Sequence, residues 1–294
     1  MNVSQQEKLK YLEEMIRSYK KGKQDHYFIE QYLRGAGNEL ASKFWELRSS
    51  SRMAYDLYSW MKSNEYPEIM DFQFEFLLPN LKSGGTGPNM DVFIETKHEL
   101  IFIESKFTES ANLHFTDNGY LKEAYYADKP YGRNNMSLVD RFGGNAWASK
   151  FSKFCTEWEE EMERKGWHKG KDWFEPKQET CHLSGILLFL FQEKNRKRIK
   201  NKEIKLYNIY WKLPEDSVSE MEQEFCARAQ GLINDILSEN NPGVKDFKIS
   251  AFSAQEMLKD NSLLSNSIHF PSGYLELMTK RNEDILSKEG ITHR

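Results

Sequence analysis

Two short β-branched and aromatic runs, Met90–Thr96 and Leu100–Phe107, constrain this chain more than any other feature, because only Lys97-His98-Glu99 separates them. Runs of that length with so brief an interruption read as two strands of one hairpin. With His98 and Glu99 as the loop residues, Lys97 faces Leu100, Phe93 faces Glu104 and Asp91 faces Lys106. Strand side chains alternate with period two, so Asp91, Glu104 and Lys106 fall on one face, within roughly 5–8 Å of each other. A slip of one residue would move Asp91 to the other face. The turn lacks an Asn-Gly or Asp-Gly signal, so the register rests on the strand pattern alone.

Two carboxylates beside a lysine suit metal-assisted hydrolysis of a phosphodiester. The ester is anionic and resists hydroxide, and a divalent cation both neutralises that charge and lowers the pKa of a bound water. Magnesium prefers hard oxygen ligands and keeps several waters, so two carboxylates and a backbone carbonyl are a sufficient set. A lysine alongside can orient the attacking water and stabilise developing negative charge. Glu-x-Lys by itself carries little weight, since the chain repeats it at Glu95, Glu163, Glu175 and Glu203. An apolar strand leading into Glu104, and an acid at the matching end of the neighbouring strand, set that copy apart. A rival constellation joins Glu75 of Phe72-Gln73-Phe74-Glu75-Phe76 to Glu95 and Lys97, and a salt-bridged sheet edge without chemistry is a third reading.

Asp91 on one strand and Glu104-Ser105-Lys106 on the next resemble the PD-(D/E)xK nuclease superfamily, the restriction-endonuclease-like fold, with the leading proline displaced to Pro88. The resemblance is specific over Glu39–Lys106, looser to Gln192 and silent beyond. It implies an α/β fold: a restriction-endonuclease-like three-layer core with a central mixed β-sheet flanked by helices, plus N-terminal helices and C-terminal additions. It also implies magnesium, with manganese as a substitute, held by Asp91, Glu104 and the Ser105 carbonyl, with Lys106 at the attacking water. DNA is the implied substrate, and a homodimer is a common arrangement for such enzymes. Glu39, in Gly37-Asn38-Glu39-Leu40, is the candidate for the helical glutamate many members carry, or simply an acid favoured at a helix N-terminus. Gln178 is the candidate for the glutamine some members place on a later helix.

Other segments frame that centre. Leu9, Leu12, Ile16 and Tyr19 recur at helical spacing behind Ser4 and Glu7, and a second helix runs from Asp25 to Gly35. Asn38 caps a helix carrying Leu40, Phe44 and Leu47, and Met53, Leu57, Trp60 and Met61 continue as helix. The loop Lys82–Pro88 lacks the Gly-Lys-Ser/Thr ending of a phosphate loop, so its glycines either turn the chain or let backbone approach a substrate. Ser110–Gly144 reads as a long aromatic loop with Arg133 and Arg141, suited to stacking on bases and contacting phosphates, or as a lid. Trp147–Met162 is an amphipathic helix. Gln178 and His182 stand at i and i+4 on a helical turn, followed by a buried strand, Leu183–Phe191, with His182 read as structural or substrate-contacting. The tract Lys194-Asn195-Arg196-Lys197-Arg198 then reads as a basic hairpin tip before the strand Ile204–Leu213. It is either a phosphate-backbone contact or a solvated guard on a sheet edge.

A helix from Pro214 to the turn Asn241-Pro242-Gly243, a strand Phe247–Phe252, and a helix capped by Ser253 and Glu256 complete the chain. With no low-complexity linker and no internal repeat, 1–294 reads as one domain: a helical extension 1–36, a core 37–213 and a helix–strand–helix addition 214–294. A formal net charge of -4 excludes a bulk polyanion-binding protein, so nucleic-acid contact must come from local basic patches. Three cysteines without Cys-x-x-Cys spacing and a polar start point to a reduced cytoplasmic setting without structural zinc. The longest apolar run, Ile186–Phe191, is too short to cross a bilayer. Two further readings stay open: a catalytically inactive module of the same fold that binds nucleic acid or protein, and glycoside hydrolysis, which needs neither metal nor lysine.

Overall fold

In the computed structural model the central hairpin forms, with Asn89–Thr96 (β2) antiparallel to Glu99–Lys106 (β3). The structure describes residues 25–34, 44, 49–62, 66–80, 87–107, 114–115, 121, 125, 137–141, 146–167, 171–172, 174–212 and 219–288. The turn differs from the expected one. Glu95 pairs with Leu100, so Lys97 and His98 make the loop, and Val92 pairs with Ile103. The register is displaced by two residues from the expected pairing. A shift of two conserves facing, so the acids keep their common face.

Ile69–Leu77 (β1) pairs antiparallel with β2, while Glu203–Tyr210 (β6) runs parallel to β3 and Asp246–Ser253 (β7) parallel to β6. The five-stranded mixed sheet has the order β1-β2-β3-β6-β7, and His114–Phe115 (β4) pairs separately with Lys171–Asp172 (β5). Strand β7 therefore extends the central sheet although it lies beyond residue 213.

Helices cover both faces. On one side are Ala146–Lys165 (α4), Pro176–Phe191 (α5) and Glu220–Asn240 (α7), with the short helix Leu138–Arg141 (α3) preceding α4. Their Trp158, Leu187 and Phe225 share a core with Phe93, Phe102 and Leu206 of the sheet. On the other side lie Asp25–Arg34 (α1), Ser50–Tyr58 (α2), Ala254–Lys259 (α8) and Tyr274–Lys288 (α9). There Phe28, Leu57 and Met257 pack on Phe74, Val92, Ile103 and Ile209. Layers on both faces leave β2 and β3 buried almost throughout, with the apolar run Leu100–Ile103 at the centre of β3. Helix α1 also covers the edge of β1: the Tyr27 hydroxyl donates to the Phe72 carbonyl at 2.7 Å, and Gln31 Oε1 accepts from the Phe74 amide at 2.7 Å. Edge groups satisfied in this way are closed to another chain.

Residues 183–191 are helix rather than the expected strand: α5 continues unbroken from Pro176 to Phe191. Its apolar residues point all round because the segment is enclosed by the sheet and neighbouring helices. A buried helix of this kind shows no amphipathic stripe, and a short apolar run does not distinguish it from a strand. The expected cap at Ser253 is present, with Glu256 in a full capping box, and Ser219 caps α7.

The basic tract is not a hairpin tip. It forms a 3₁₀ turn and a one-turn helix, Arg196–Ile199 (α6), that leads from α5 into parallel strand β6. Arg198 Nε donates to Glu95 Oε2 at 2.6 Å and its Nη2 to Asp71 Oδ2 at 2.7 Å, while Lys202 Nζ reaches Glu95 Oε1 at 2.6 Å. Arg198 is thus tied to the sheet rather than turned to a polyanion. Arg196 pairs with Glu193, and Lys194 and Lys197 are exposed. Replacing Lys202 by Met should cost about 3 kcal/mol in urea unfolding, since it strips a buried glutamate of one of its cations. Lys194→Ala should stay within about 0.5 kcal/mol of wild type.

Candidate active site

Continuing the ladder one step past Val92 and Ile103 places Asp91 opposite Glu104, at the end of the hairpin away from its turn. Asp91 Oδ2 accepts a 2.7 Å hydrogen bond from the Ser105 amide, which fixes its carboxylate against β3. Lys106 Nζ donates to Glu104 Oε1 at 2.8 Å and to Gln178 Oε1 at 2.7 Å, and Gln178 Nε2 closes the triangle on Glu104 Oε1 at 2.7 Å. Gln178 comes from the first turn of α5. The structure therefore brings together Asp91, Glu104, Ser105, Lys106 and Gln178.

Helix α5 can lie this close because of Gly185, and a second glycine lets the chain after β1 fold back on itself. A Cβ on Gly185 would sit 2.9 Å from Leu78 Cβ and 3.0 Å from Pro88 Cγ, and one on Gly87 would strike the Leu78 carbonyl oxygen at 1.8 Å. At Gly87 the glycine-rich loop therefore serves close backbone packing after β1, where the Leu78 amide donates to the Pro88 carbonyl.

The group opens on a cavity of about 430 Å³ lined by Glu75, Pro88, Asn89, Asp91, Glu104, Glu175, Lys177, Gln178, Cys181 and His182. Gln178 and His182 both face it, as their spacing requires. His182 is buried, with Nε2 3.8 Å from Glu104 Oε2 and Nδ1 3.8 Å from Glu179 Oε1. Burial pushes its imidazole toward the neutral form, but Glu104 and Glu179 on either side outweigh this and hold its pKa above the ordinary value.

Glu75 is the residue that sequence reasoning misplaced. The rival set does not form: Glu95 is bound by Arg198 and Lys202 near the turn, and Lys97 is exposed. Instead Glu75 joins Asp91, lying between the pairs Phe74–Val92 and Phe76–Met90. Its φ of 49° is left-handed, unusual for a non-glycine residue within a strand. Alternation breaks there. Phe72 and Phe74 enter the α1/α2 layer, whereas Phe76 turns to the α5 layer and stacks on Phe93 at 4.2 Å. A strictly alternating Phe-x-Phe-x-Phe sequence gives no warning of such a reversal.

Burial pushes the Asp91 carboxyl well above the ordinary carboxylate range, and Glu104 and Glu75 push it further, against Lys106 and the Ser105 amide. Among the described residues no group of three or more His, Cys, Asp or Glu side chains is spaced to hold a metal ion. The donors that fit are two carboxylates with the Ser105 carbonyl, a hard-oxygen set that water must complete.

Several expected residues lie elsewhere. Glu39 and Arg133 fall outside the described residues, and Arg141 is placed only as the last residue of α3. The tract at 194–198 adjoins the turn end of the sheet, where the Glu203 amide donates to the His98 carbonyl. Glu99 and Glu104 are separated by about 16 Å of strand, at roughly 3.3 Å per residue, so this tract does not flank the cavity. No family model, curated protein or solved structure matches the chain.

Two outcomes test this electrostatic account. The unfolded Asp91 carboxyl ionises from about pH 4, while the folded one still holds its proton, so stability falls as pH rises through that window. Without metal, Asp91→Asn should match wild type near pH 3 and exceed it at pH 7, with a Tm higher by about 2–4 °C per kcal/mol relieved, read by thermal melting. Glycine in mid-strand ordinarily costs about 0.5–1 kcal/mol. Glu75→Gly should instead be neutral or stabilising by up to about 1 kcal/mol in denaturant unfolding, because it releases a left-handed backbone.

Proposed function

We propose that this chain is a metal-dependent nuclease that hydrolyses phosphodiester bonds in DNA, with Asp91, Glu104 and the Ser105 carbonyl as metal ligands and Lys106 as the catalytic cation. The observation that carries this reading is the convergence of Asp91, Glu104 and Gln178 on one open cavity at the end of the hairpin, with Lys106 bonded to Glu104 and Gln178. A bound magnesium or manganese would supply Lewis acidity and an acidified water. The protein's own groups do the rest. Lys106, poised between Glu104 and Gln178, stabilises negative charge developing on the phosphate, and Gln178 holds both partners in register. The first turn of α5 adjoins the cavity, where the helix's partial positive charge favours an anionic substrate.

The five-stranded α/β sheet with helices on both faces is compatible with the restriction-endonuclease-like core, and the Asp91 and Glu104-Ser105-Lys106 pattern supports placing the chain in that group. The pattern contributes DNA as the substrate class, and a homodimer would allow both strands to be cut. Cys155, Cys181 and Cys226 are free thiols, which supports a reducing, cytoplasmic setting; among the described residues no helix is long and apolar enough to cross a membrane.

Incubation with linear, circular and single-stranded DNA in magnesium or manganese tests the proposal. Cleavage should vanish with EDTA and fall about 100-fold or more in Lys106→Ala and Asp91→Ala. Ser105→Ala should retain most activity, because its role is carried by backbone. No cleavage of any substrate, together with DNA binding indifferent to metal, would replace the nuclease with a non-catalytic binding module.

A further inference from the structure

Resting on the nuclease reading, we propose that His182, backed by Glu179, is a positioning residue that holds the second carboxylate oxygen of Glu104 and so fixes how that acid enters the site. Neither residue belongs to the Asp and Glu-x-Lys pattern, and both are carried by α5. His182 adjoins the cavity but is only 2 % exposed, so little of its ring is open to a substrate, which makes its part positioning rather than catalysis.

Three observations converge. First, α5 addresses both oxygens of Glu104 from residues one turn apart. Gln178 Nε2 donates to Oε1 at 2.7 Å, and His182 Nε2 lies 3.8 Å from Oε2. The last torsion of a glutamate is broad, so anchoring one oxygen leaves the carboxylate plane free to turn, whereas anchoring two fixes it. Second, the imidazole is itself bracketed. Its Nδ1 lies 3.8 Å from Glu179 Oε1, so an acid stands at each ring nitrogen. Imidazole N–H groups donate and carboxylate oxygens accept, so the order acid, imidazole, acid matches donor to acceptors. Third, His182 Nδ1 and Glu179 Oε2 are buried without a hydrogen-bond partner among the described residues. Buried polar atoms are ordinarily satisfied and costly to leave open, so such a pair beside a reactive centre points to a part in its chemistry.

Both 3.8 Å separations exceed a hydrogen bond. Bonds at a catalytic centre are often long in the free protein and tighten when substrate binds. The ring is carried by a helix whose depth is set by packing, since Gly185, three residues on from His182, is where α5 approaches Leu78 and Pro88. On this account Glu179 sets the orientation of the imidazole and His182 holds Oε2 of Glu104, while Lys106 and Gln178 hold Oε1.

The two ring nitrogens supply the test on the full chain. The amide nitrogen of glutamine lies as many bonds from Cα as Nε2, and that of asparagine as many as Nδ1. His182→Asn should lower kcat for cleavage of linear DNA in manganese about tenfold with little change in KM for DNA, and weaken manganese binding in titration calorimetry about tenfold. His182→Gln should restore both to within about threefold of wild type. Glu179→Met, which removes the acceptor behind the ring, should fall between the two, and wild-type values there would overturn the part given to Glu179. Circular dichroism melts establish that each variant is folded. Wild-type values in His182→Asn, or equal losses in the asparagine and glutamine variants, would overturn the positioning role and leave the nuclease reading intact. Manganese binding that follows the expected order in a wild type that cuts no DNA would overturn the nuclease reading alone. A wild type that neither cuts DNA nor binds manganese would overturn both.

Discussion

Burying a carboxylate in an apolar sheet is unfavourable unless a cation or a set of donors meets it, and the rest of this structure depends on how the central hairpin meets that requirement. It does so three times. Glu95 is bound by Lys202 and Arg198, Glu99 by Lys205 at 2.6 Å with Ser265 beside it, and Glu104 by Lys106 and Gln178. The pairs made by Lys202 and Lys205 are closed. Lys202 and Lys205 are enclosed by protein, so these pairs fix how β6 docks on β2 and β3. The third opens on the cavity and includes an amide that shares both charges.

That contrast also separates the two constellations suggested by the composition of the hairpin. Glu95 and Lys97 flank the turn, where Glu95 is held by cations arriving from α6 and from the turn before β6 and Lys97 is exposed. The same crossover explains the basic tract, whose Arg198 serves as a tie across the sheet rather than a contact for phosphate. Spacing along a chain cannot reveal this, because Asp71, Glu95 and Arg198 meet only when β1, β2 and α6 are in place.

Legibility followed the range of the interaction. The β2–β3 pair, the Ser253 capping box, the amphipathic α4 and the Gln178–His182 face all arise from neighbours a few residues apart, and the sequence displays them. The turn was read one residue late, yet the shift conserved strand parity, so Asp91 kept its face while its opposite residue became Glu104 rather than Lys106. Residues 183–191 were misread because a helix enclosed on all sides loses the stripe that marks it. Glu75 was misassigned because nothing in Phe-Gln-Phe-Glu-Phe announces a left-handed residue; packing of Phe76 on Phe93 imposes it.

The sequence by itself determined that Asp91, Glu104 and Lys106 share a face, because strand side chains ordinarily alternate with period two and the displaced turn shifted the pairing by an even number of residues. Only the tertiary structure decided that Gln178 bridges Lys106 and Glu104, that Glu75 stands beside Asp91, and that the lysine-rich tract lies at the far end of the sheet. Those placements depend on α5 approaching across Gly185, on a reversed backbone at Glu75 and on a crossover into a parallel strand. Each is set by long-range packing, whose energy is distributed over many side chains and is written at no single position.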